Sequence, residues 1–346
     1  MKAAVLRDGA LHVERLPDLT PGPGQVLVEP IACGICGSDL HTVDHAHDMV
    51  ETAIASGSPG AFGSLDLTQG FVMGHEFSCR VLATGEGVEG IREGAEFAAM
   101  PFLETSEGRV VTGYSNTYPG GYSEQVLVSP LALLPIPNGL DPALAALSEP
   151  MAVGLQAVNQ SRITRDGIAL VAGAGPVGLA IIAALDVLGV EAIIASDYSP
   201  ARRAVAARMG ASRVIDPARE DLIDGWRAAG DGTVPPVLFD AVGVPGMIDG
   251  LMQIAPEHSQ IVVAGVCMPP DSFRPSFGIY KRLNLQFVLG WTPEEFAASL
   301  HNLAEGRIDG SILITGEVGL DDVPQAFADL ADPENHVKVL VRPNLG

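Results

Sequence analysis

The stretch Ile168-Ala169-Leu170-Val171-Ala172-Gly173-Ala174-Gly175-Pro176-Val177-Gly178 limits what this chain can fold into more than any other. Five apolar residues run into the pattern G-x-G-x-x-G, and a second apolar run follows it. The glycine pattern alone is weak, but a buried strand before it and an apolar helix after it give the context it needs. Gly173 permits a tight turn, Gly175 lets the backbone approach a pyrophosphate, and Gly178 lets the helix pack on the strand. Pro176 and Val177 open that helix, whose positive end then faces the pyrophosphate. The next apolar run, Ala192–Ser196, leads into Asp197, 24 residues after Gly173. A carboxylate there bonds both hydroxyls of an adenosine ribose and repels a 2′-phosphate, so NAD is expected over NADP. Arg202 and Arg203 pull the other way, because an arginine accepts that phosphate. A plainer reading also stands, in which Asp197 caps the next helix and the glycines only make a turn.

Around this motif the chain alternates between two kinds of apolar run. Residues 178–189 and 200–209 have helical character; Arg213–Ile215, 237–241 and 260–265 read as strands. That alternation predicts a doubly wound parallel sheet. The first 135 residues differ. Runs at 3–6, 11–14, 25–31, 77–83 and 124–128, with Pro21-Gly22-Pro23-Gly24 as a turn signal, predict a β-rich domain with long loops. The character changes near Asp141, an N-cap for a helical stretch over 142–160. One more helix, 293–305, and a last strand, 336–341, follow Trp291. With 346 residues the chain is expected to form two domains, 1–147 completed by 291–346, and 148–290. Residues 49–69, rich in Gly, Ser and Ala, read as an irregular loop or insertion.

Composition excludes several classes. Apolar residues make up 47% and charged residues 18%, which supplies a core and argues against disorder. The net charge is −22, with the middle of the chain nearly neutral: 13 acids face 11 bases over 151–290. An acidic surface of this kind argues against nucleic acid or an anionic membrane as partner. The uncharged run 167–185 approaches membrane-span length, but its glycines and Pro176 fit strand, turn and helix better. Four cysteines (Cys33, Cys36, Cys79 and Cys267) are too few for a disulfide scaffold and fit a reducing compartment. Met1-Lys2-Ala3-Ala4-Val5 lacks the apolar stretch of a signal peptide, so a cytoplasmic location is expected.

A second constellation lies in the first half: Gly34-Ile35-Cys36-Gly37-Ser38-Asp39-Leu40-His41, and later Gly74-His75-Glu76. A thiolate, an imidazole and a carboxylate form a zinc set that leaves a coordination position open for substrate. A zinc ion held so polarises an alcohol oxygen and lowers its pKa. Each residue also has an ordinary reading. Cys36 could be a core thiol, His41 a loop histidine, Ser38 a turn residue, and Glu149 a helix-terminal acid beside Pro150. Cys33 makes a C-x-x-C with Cys36, but its strand-like surroundings favour a core thiol; Cys79 and Cys267 read as buried, and His45 and His47 as solvated loop residues.

Together, GICGSDLH around Cys36, GHEF around His75-Glu76, SEPMAV around Glu149 and GAGPVGLA resemble the zinc-containing medium-chain dehydrogenase/reductase superfamily over the whole chain. Within it the chain is most similar to the polyol branch of sorbitol, threonine and butanediol dehydrogenases. The resemblance implies an α/β protein with a GroES-like β-rich catalytic domain and a Rossmann cofactor domain. It implies Cys36 and His75 as zinc ligands, with Glu76 and Glu149 as alternatives for the third; Glu149 stands where other members carry a cysteine. Ser38 matches the hydroxyl that takes the substrate proton. His41 matches the far end of that relay, reached through the nicotinamide ribose. Asp39 matches a residue that orients the histidine ligand. Asp197 and Arg202 match adenosine-ribose contacts, and Val242, Gly243, Gly265 and Val266 match strand ends that hold the nicotinamide half. The implied activity is reversible oxidation of a secondary alcohol, vicinal diol or polyol to a ketone, with hydride passed to NAD, by a homodimer or homotetramer.

Two departures from the family stand out. The stretch from Met100 to Tyr118 lacks the four cysteines that hold a second, structural zinc in many relatives, so a single catalytic zinc is expected, and 103–107 must be held by packing or hydrogen bonds. Between Cys36 and His75 there are 38 residues, roughly twice the spacing of common relatives. The extra length, within 44–71, is expected to shape the substrate pocket. Two competing functions are a zinc-free enone or quinone reductase, which lacks the Cys36, His75 and Glu149 set, and a catalytically silent cofactor-binding protein, which needs no relay.

Overall fold

The computed structural model describes residues 1–332 and 334–345; Pro333 and Gly346, both inside the predicted segment 291–346, lie outside the described residues. Two compact units form. One holds Met1–Glu149, Leu303–Glu305 and the chain from Ile314 onward; the other holds Pro150–Asn302 and Gly306–Leu313. Among the described residues no helix is long and apolar enough to cross a membrane.

The first unit opens with the hairpin β1 (Lys2–Arg7) and β2 (Ala10–Arg15). Next come β3 (Val26–Gly34), α1 (Gly37–Ala55), β4 (Glu76–Thr84), β5 (Glu96–Ala99), β6 (Phe102–Thr105), β7 (Gly108–Val111), β8 (Val126–Val128) and β9 (Leu133–Pro135). The predicted helix over 142–160 is two helices, α2 (Pro142–Ala145) and α3 (Ser148–Asn159). Asp141 caps α2, its Oδ1 accepting the Ala143 N–H at 2.9 Å.

The second unit is built on β10 (Ile168–Ala172), α4 (Pro176–Leu188), β11 (Ala192–Ser196), α5 (Pro200–Arg208), β12 (Arg213–Ile215), α6 (Leu222–Ala229), β13 (Val237–Asp240), α7 (Met247–Ile254), β14 (Gln260–Val263), α8 (Pro275–Lys281) and β15 (Asn284–Phe287). All six strands run parallel in the order β12-β11-β10-β13-β14-β15. Every residue of β10, β13 and β14 is buried, which is why these strands read as unbroken apolar runs. The strand order reverses between β10 and β13, so the carboxyl ends of those strands form the ligand crevice of such a sheet.

The helix α9 (Pro293–Ala304), assigned to the first domain by the sequence, lies mostly within the second unit, where Glu295 accepts a hydrogen bond from Asn159 Nδ2 at 2.8 Å. The chain then returns to the first unit with β16 (Ile314–Val318), α10 (Val323–Leu330) and β17 (Lys338–Val341). The main sheet there has the order β16-β17-β3-β4-β5-β9, with β8 also on β3.

One expectation for the first unit is overturned. Residues 49–55, read as irregular, belong instead to α1, so the irregular segment predicted from residue 49 starts only after Ala55. Its start is fixed by Asp39, whose Oδ2 accepts the Cys36 N–H at 3.0 Å across the first turn. The helix kinks at His45, whose φ of −135° and ψ of 25° are not helical, and His47 lies in the helical stretch beyond the kink rather than in a loop. The cysteine-free stretch is held as expected of packing and hydrogen bonds. β6 and β7 pair as a hairpin, Leu103 is buried, the Glu104 N–H bonds Ser129 Oγ at 2.7 Å, and Arg109 lies 4.2 Å over the Phe102 ring.

Candidate metal centre and cofactor loop

The β3–β4 register sets Gly34 opposite Glu76 at the start of β4, with His75 one residue earlier. A Cβ on residue 34 would lie 2.0 Å from Glu76 Oε2, so only glycine leaves room for that carboxylate. Cys36 stands just beyond, as the N-cap of α1. Ligand atoms of Cys36, His75 and Glu76 lie within 4.8 Å of one another. Glu149 is buried and is one of the negative groups acting on Lys338, but it is not in that three-residue group.

Asp39 organises the centre. It is fully buried, and its Oδ1 lies 3.4 Å from His75 Nδ1, an ion-pair distance that leaves Nε2 for a metal. It also accepts hydrogen bonds from Tyr122 Oη (2.6 Å) and Tyr114 Oη (3.2 Å). Burial pushes the Asp39 carboxyl up, but His75, Tyr122 and the Cys36 N–H outweigh it and hold the group below the usual aspartate range. Burial pulls His75 toward neutrality, yet Tyr114, Asp39 and Cys36 keep its pKa well above the ordinary histidine value. Burial and the Glu76 charge push the Cys36 thiol up. A divalent cation displaces such protons when it binds. A thiol, an imidazole and a carboxylate converging at this spacing fit zinc.

Lys338 on β17 is the partner that sequence reasoning missed. Its Nζ donates to Glu76 Oε2 at 2.7 Å, to Oε1 at 3.0 Å and to the Ile35 carbonyl at 3.1 Å. Burial pulls the ammonium down, but Glu76, Cys36 and Glu149 outweigh it and raise its pKa. The signal was present: a lysine inside the buried run Lys338-Val339-Leu340-Val341 demands a buried counter-charge. Ser38 and His41 sit three residues apart on the first turns of α1, so they share a face. Ser38 Oγ lies 3.5 Å from His75 Nε2 and 3.0 Å from Tyr114 Oη. Burial and the neighbouring His45 lower the His41 pKa, which favours the neutral ring of a proton acceptor. Cys33 and Cys79 are buried as expected; Cys267 is only half-buried, its thiol directed at the Pro269 carbonyl.

In the second unit the glycine loop has the shape its sequence requires. Gly173 has φ +92° and would press a Cβ against Val242, while a Cβ on Gly178 would lie 1.9 Å from the Gly173 carbonyl oxygen. At Gly175, the N-cap of α4, a Cβ would meet only Arg202 Nη1 at 3.8 Å, so this face is open for a pyrophosphate to approach. Pro176 and Val177 form the first turn. Asp197 is braced by the N–H groups of Ala174 and Ser199, both at 2.8 Å. Arg203 is engaged with the Asp197 and Tyr198 carbonyls, whereas Arg202 Nε is buried without a hydrogen-bond partner among the described residues. Gly243 and Gly265 touch at the ends of β13 and β14, and Val242 and Val266 are exposed beside them. All the predicted cofactor positions therefore fall at the carboxyl ends of β10, β11, β13 and β14 or just beyond them.

The comparisons with known proteins agree with this architecture. Residues 22–138 match the alcohol dehydrogenase GroES-like domain, and residues 176–305 match the zinc-binding dehydrogenase family. The chain is 30% identical to an (R,R)-butanediol dehydrogenase of Bacillus subtilis, over 96% of this chain and 97% of that protein. It is 30% identical to the (R,R)-butanediol dehydrogenase of Neisseria gonorrhoeae over the full length of both. The crystal structure of the 2R,3R-butanediol dehydrogenase from Bacillus subtilis superposes with a TM-score of 0.84 at 29% identity, covering 99% of each chain. The chain belongs to the zinc-containing medium-chain dehydrogenase/reductase superfamily, in its polyol dehydrogenase branch. It is thus an oxidoreductase of the alcohol dehydrogenase type, with a GroES-like and a Rossmann unit.

Proposed function

We propose that the chain oxidises a secondary alcohol, by preference one hydroxyl of a vicinal diol or polyol, to the ketone, with hydride passing to NAD, and that it runs the reverse reduction. The observation that carries this reading is the convergence of Cys36, His75 and Glu76 beside the Ser38 hydroxyl. The butanediol dehydrogenases among its relatives support a diol. In this reading Cys36, His75 and Glu76 hold one zinc ion, and Glu149 stands nearby. When bound, zinc supplies a Lewis acid that lowers the pKa of the alcohol. Ser38 takes the alcohol proton, and His41 receives it at the far end of the relay. Asp39 holds the His75 ring, and Lys338 offsets part of the Glu76 charge. A zinc-free enone reductase has no use for this donor set. The test is zinc content per chain together with NADH formation on butane-2,3-diol stereoisomers, sorbitol and simple secondary alcohols. Bound zinc and diol-dependent NADH formation are expected; undiminished turnover after chelation, or none on any alcohol, would overturn the reading.

NAD preference is assigned to Asp197. Asp197→Ala is expected to raise the KM for NAD by about 30-fold, the loss of two charge-assisted hydrogen bonds, and to leave NADP nearly unchanged. Equal losses with both cofactors would remove Asp197 as the discriminating group.

Assembly as a homodimer or a larger homo-oligomer is assigned to the edge of the second unit's sheet. There β15 and α8 leave Ile279 (75%), Tyr280 (79%), Phe287 (59%) and nearby Leu289 (87%) exposed, an apolar edge suited to a second copy. Leu289→Glu is expected to shift the solution mass to that of a monomer; an unchanged mass would place the interface elsewhere.

A further inference from the structure

The two departures that the sequence shows separately, the extra length before His75 and the cysteine-free stretch ending at Tyr118, meet in space. The Asp66 N–H donates to Asn116 Oδ1 at 2.9 Å, and Asn116 Nδ2 donates back to the Asp66 carbonyl at 3.0 Å. From the same added segment, Phe62 in the short turn Phe62–Ser64 sets its ring 4.5 Å from that of Tyr114, tilted by 54°. Tyr114 is buried, its ring centre 5.3 Å from that of His75. Its hydroxyl lies between Asp39 Oδ1 at 3.2 Å and Ser38 Oγ at 3.0 Å.

Counting protons fixes the direction of these bonds. A carboxylate only accepts, so the single phenolic proton of Tyr114 goes to Asp39. The Ser38–Tyr114 bond then needs the Ser38 hydroxyl as donor. With its proton directed at Tyr114, Ser38 presents lone pairs on its remaining sides and can accept a hydrogen bond from an alcohol; it takes the alcohol proton only as its own proton turns from Tyr114 into the relay that ends at His41. The Ser38 backbone is fixed independently, since Thr42 Oγ1 donates to its carbonyl at 2.7 Å.

We propose that Tyr114 is a positioning residue that sets the orientation of the Ser38 hydroxyl, and that the added segment holds Tyr114 in place through Phe62 and the Asp66–Asn116 clip. The catalytic consequence rests on the dehydrogenase reading above; the contact itself rests on geometry. Tyr114→Phe removes the hydroxyl and keeps the ring on Phe62 and His75. It is expected to lower kcat for diol oxidation about tenfold, with zinc content and the KM for diol near those of the parent. On a Ser38→Ala background the same change is expected to alter kcat by less than about twofold, because Tyr114 acts through Ser38. Phe62→Ala is expected to lower kcat in the same sense with zinc retained. Thermal midpoints of the full-length parent, the two single variants and the double variant give a readout free of turnover, with a departure from additivity of roughly 2 °C expected. Equal fold-losses on both backgrounds, or additive midpoints, would overturn the proposal. Absence of alcohol oxidation in the parent would instead overturn the dehydrogenase reading, and the midpoints then decide the contact alone.

Discussion

Cys36→Ser is expected to lose zinc and alcohol oxidation together while the chain stays folded. The substitution keeps the backbone N–H that Asp39 accepts at the start of α1, so the helix retains its first turn. What it removes is an ionisable sulfur. A serine hydroxyl stays protonated near neutrality and contributes no charge to a cation, whereas the thiol does so once its proton leaves. Removing partners that merely orient a ligand costs roughly 10–100-fold in metal affinity or activity. Losing one of the three proposed ligands is expected to cost more, on the order of 10³-fold in zinc affinity and kcat/KM. Elemental analysis, NADH formation and thermal unfolding of the same preparation check this, and a variant with full zinc and full turnover would sink the assignment of Cys36.

A pH dependence accompanies that result. Burial and the Glu76 charge raise the Cys36 thiol, so it keeps its proton at neutral pH until a metal displaces it, and the His75 pKa is shifted in the same direction. Zinc affinity of the parent is therefore expected to rise with pH through neutrality. Cys36→Ser removes one displaced proton, and the slope of log affinity against pH is expected to fall by about one.

What the sequence made legible follows from where the apolar residues are. β10 and β11 have the bounds their apolar runs predict, because parallel strands covered on both faces are apolar almost throughout; the edge strand β12 also has its expected bounds, although only Ile215 in it is buried. The glycine positions were legible for a local reason at Gly178, where a Cβ would strike the Gly173 carbonyl oxygen in the same loop, and at Gly173 through its positive φ, although the side chain a Cβ there would meet, Val242, lies far along the chain. In the first unit the pattern breaks down. α1 buries only Asp39, Thr42 and Met49, so its inward face carries chemistry instead of an apolar stripe, and helical periodicity is faint. The candidate donors Cys36, His75 and Glu76, and Asp39 beside them, stood out by motif, but the residues that hold Asp39 and Glu76 did not. Tyr114 and Tyr122 lie 75 and 83 residues from Asp39, and Lys338 lies 262 from Glu76, so no local pattern joins them. The short helices α6, α7 and α8 also escaped, each seven or eight residues long and bounded by loops.

Lys338→Met is expected to produce the largest change in stability, and zinc is expected to reverse much of it. Lys338 and Glu76 are 2% and 1% exposed, and both carboxylate oxygens accept from the ammonium. Methionine fills much of the same volume, so the loss is electrostatic rather than a cavity. A carboxylate left in that interior without its partner costs about 3–5 kcal/mol, which lowers the midpoint of the chelated protein on the order of 10 °C. Zinc brings positive charge to the same carboxylate, so the penalty is expected to shrink when metal is bound, and the variant to be stabilised more by zinc than the parent. Adding Glu76→Gln removes the stranded charge and is expected to restore part of the stability without zinc, a result that lost packing alone does not give. The sign of the pH effect is also fixed. The pKa of Lys338 is raised in the folded chain, so its contribution is fully present below the ordinary lysine value and is lost only as pH climbs through the folded one. The gap between parent and variant from loss of the ammonium is therefore expected to hold across neutral pH and to close only under strongly alkaline conditions. A midpoint unmoved by Lys338→Met in the chelated protein would show that Glu76 does not depend on this lysine.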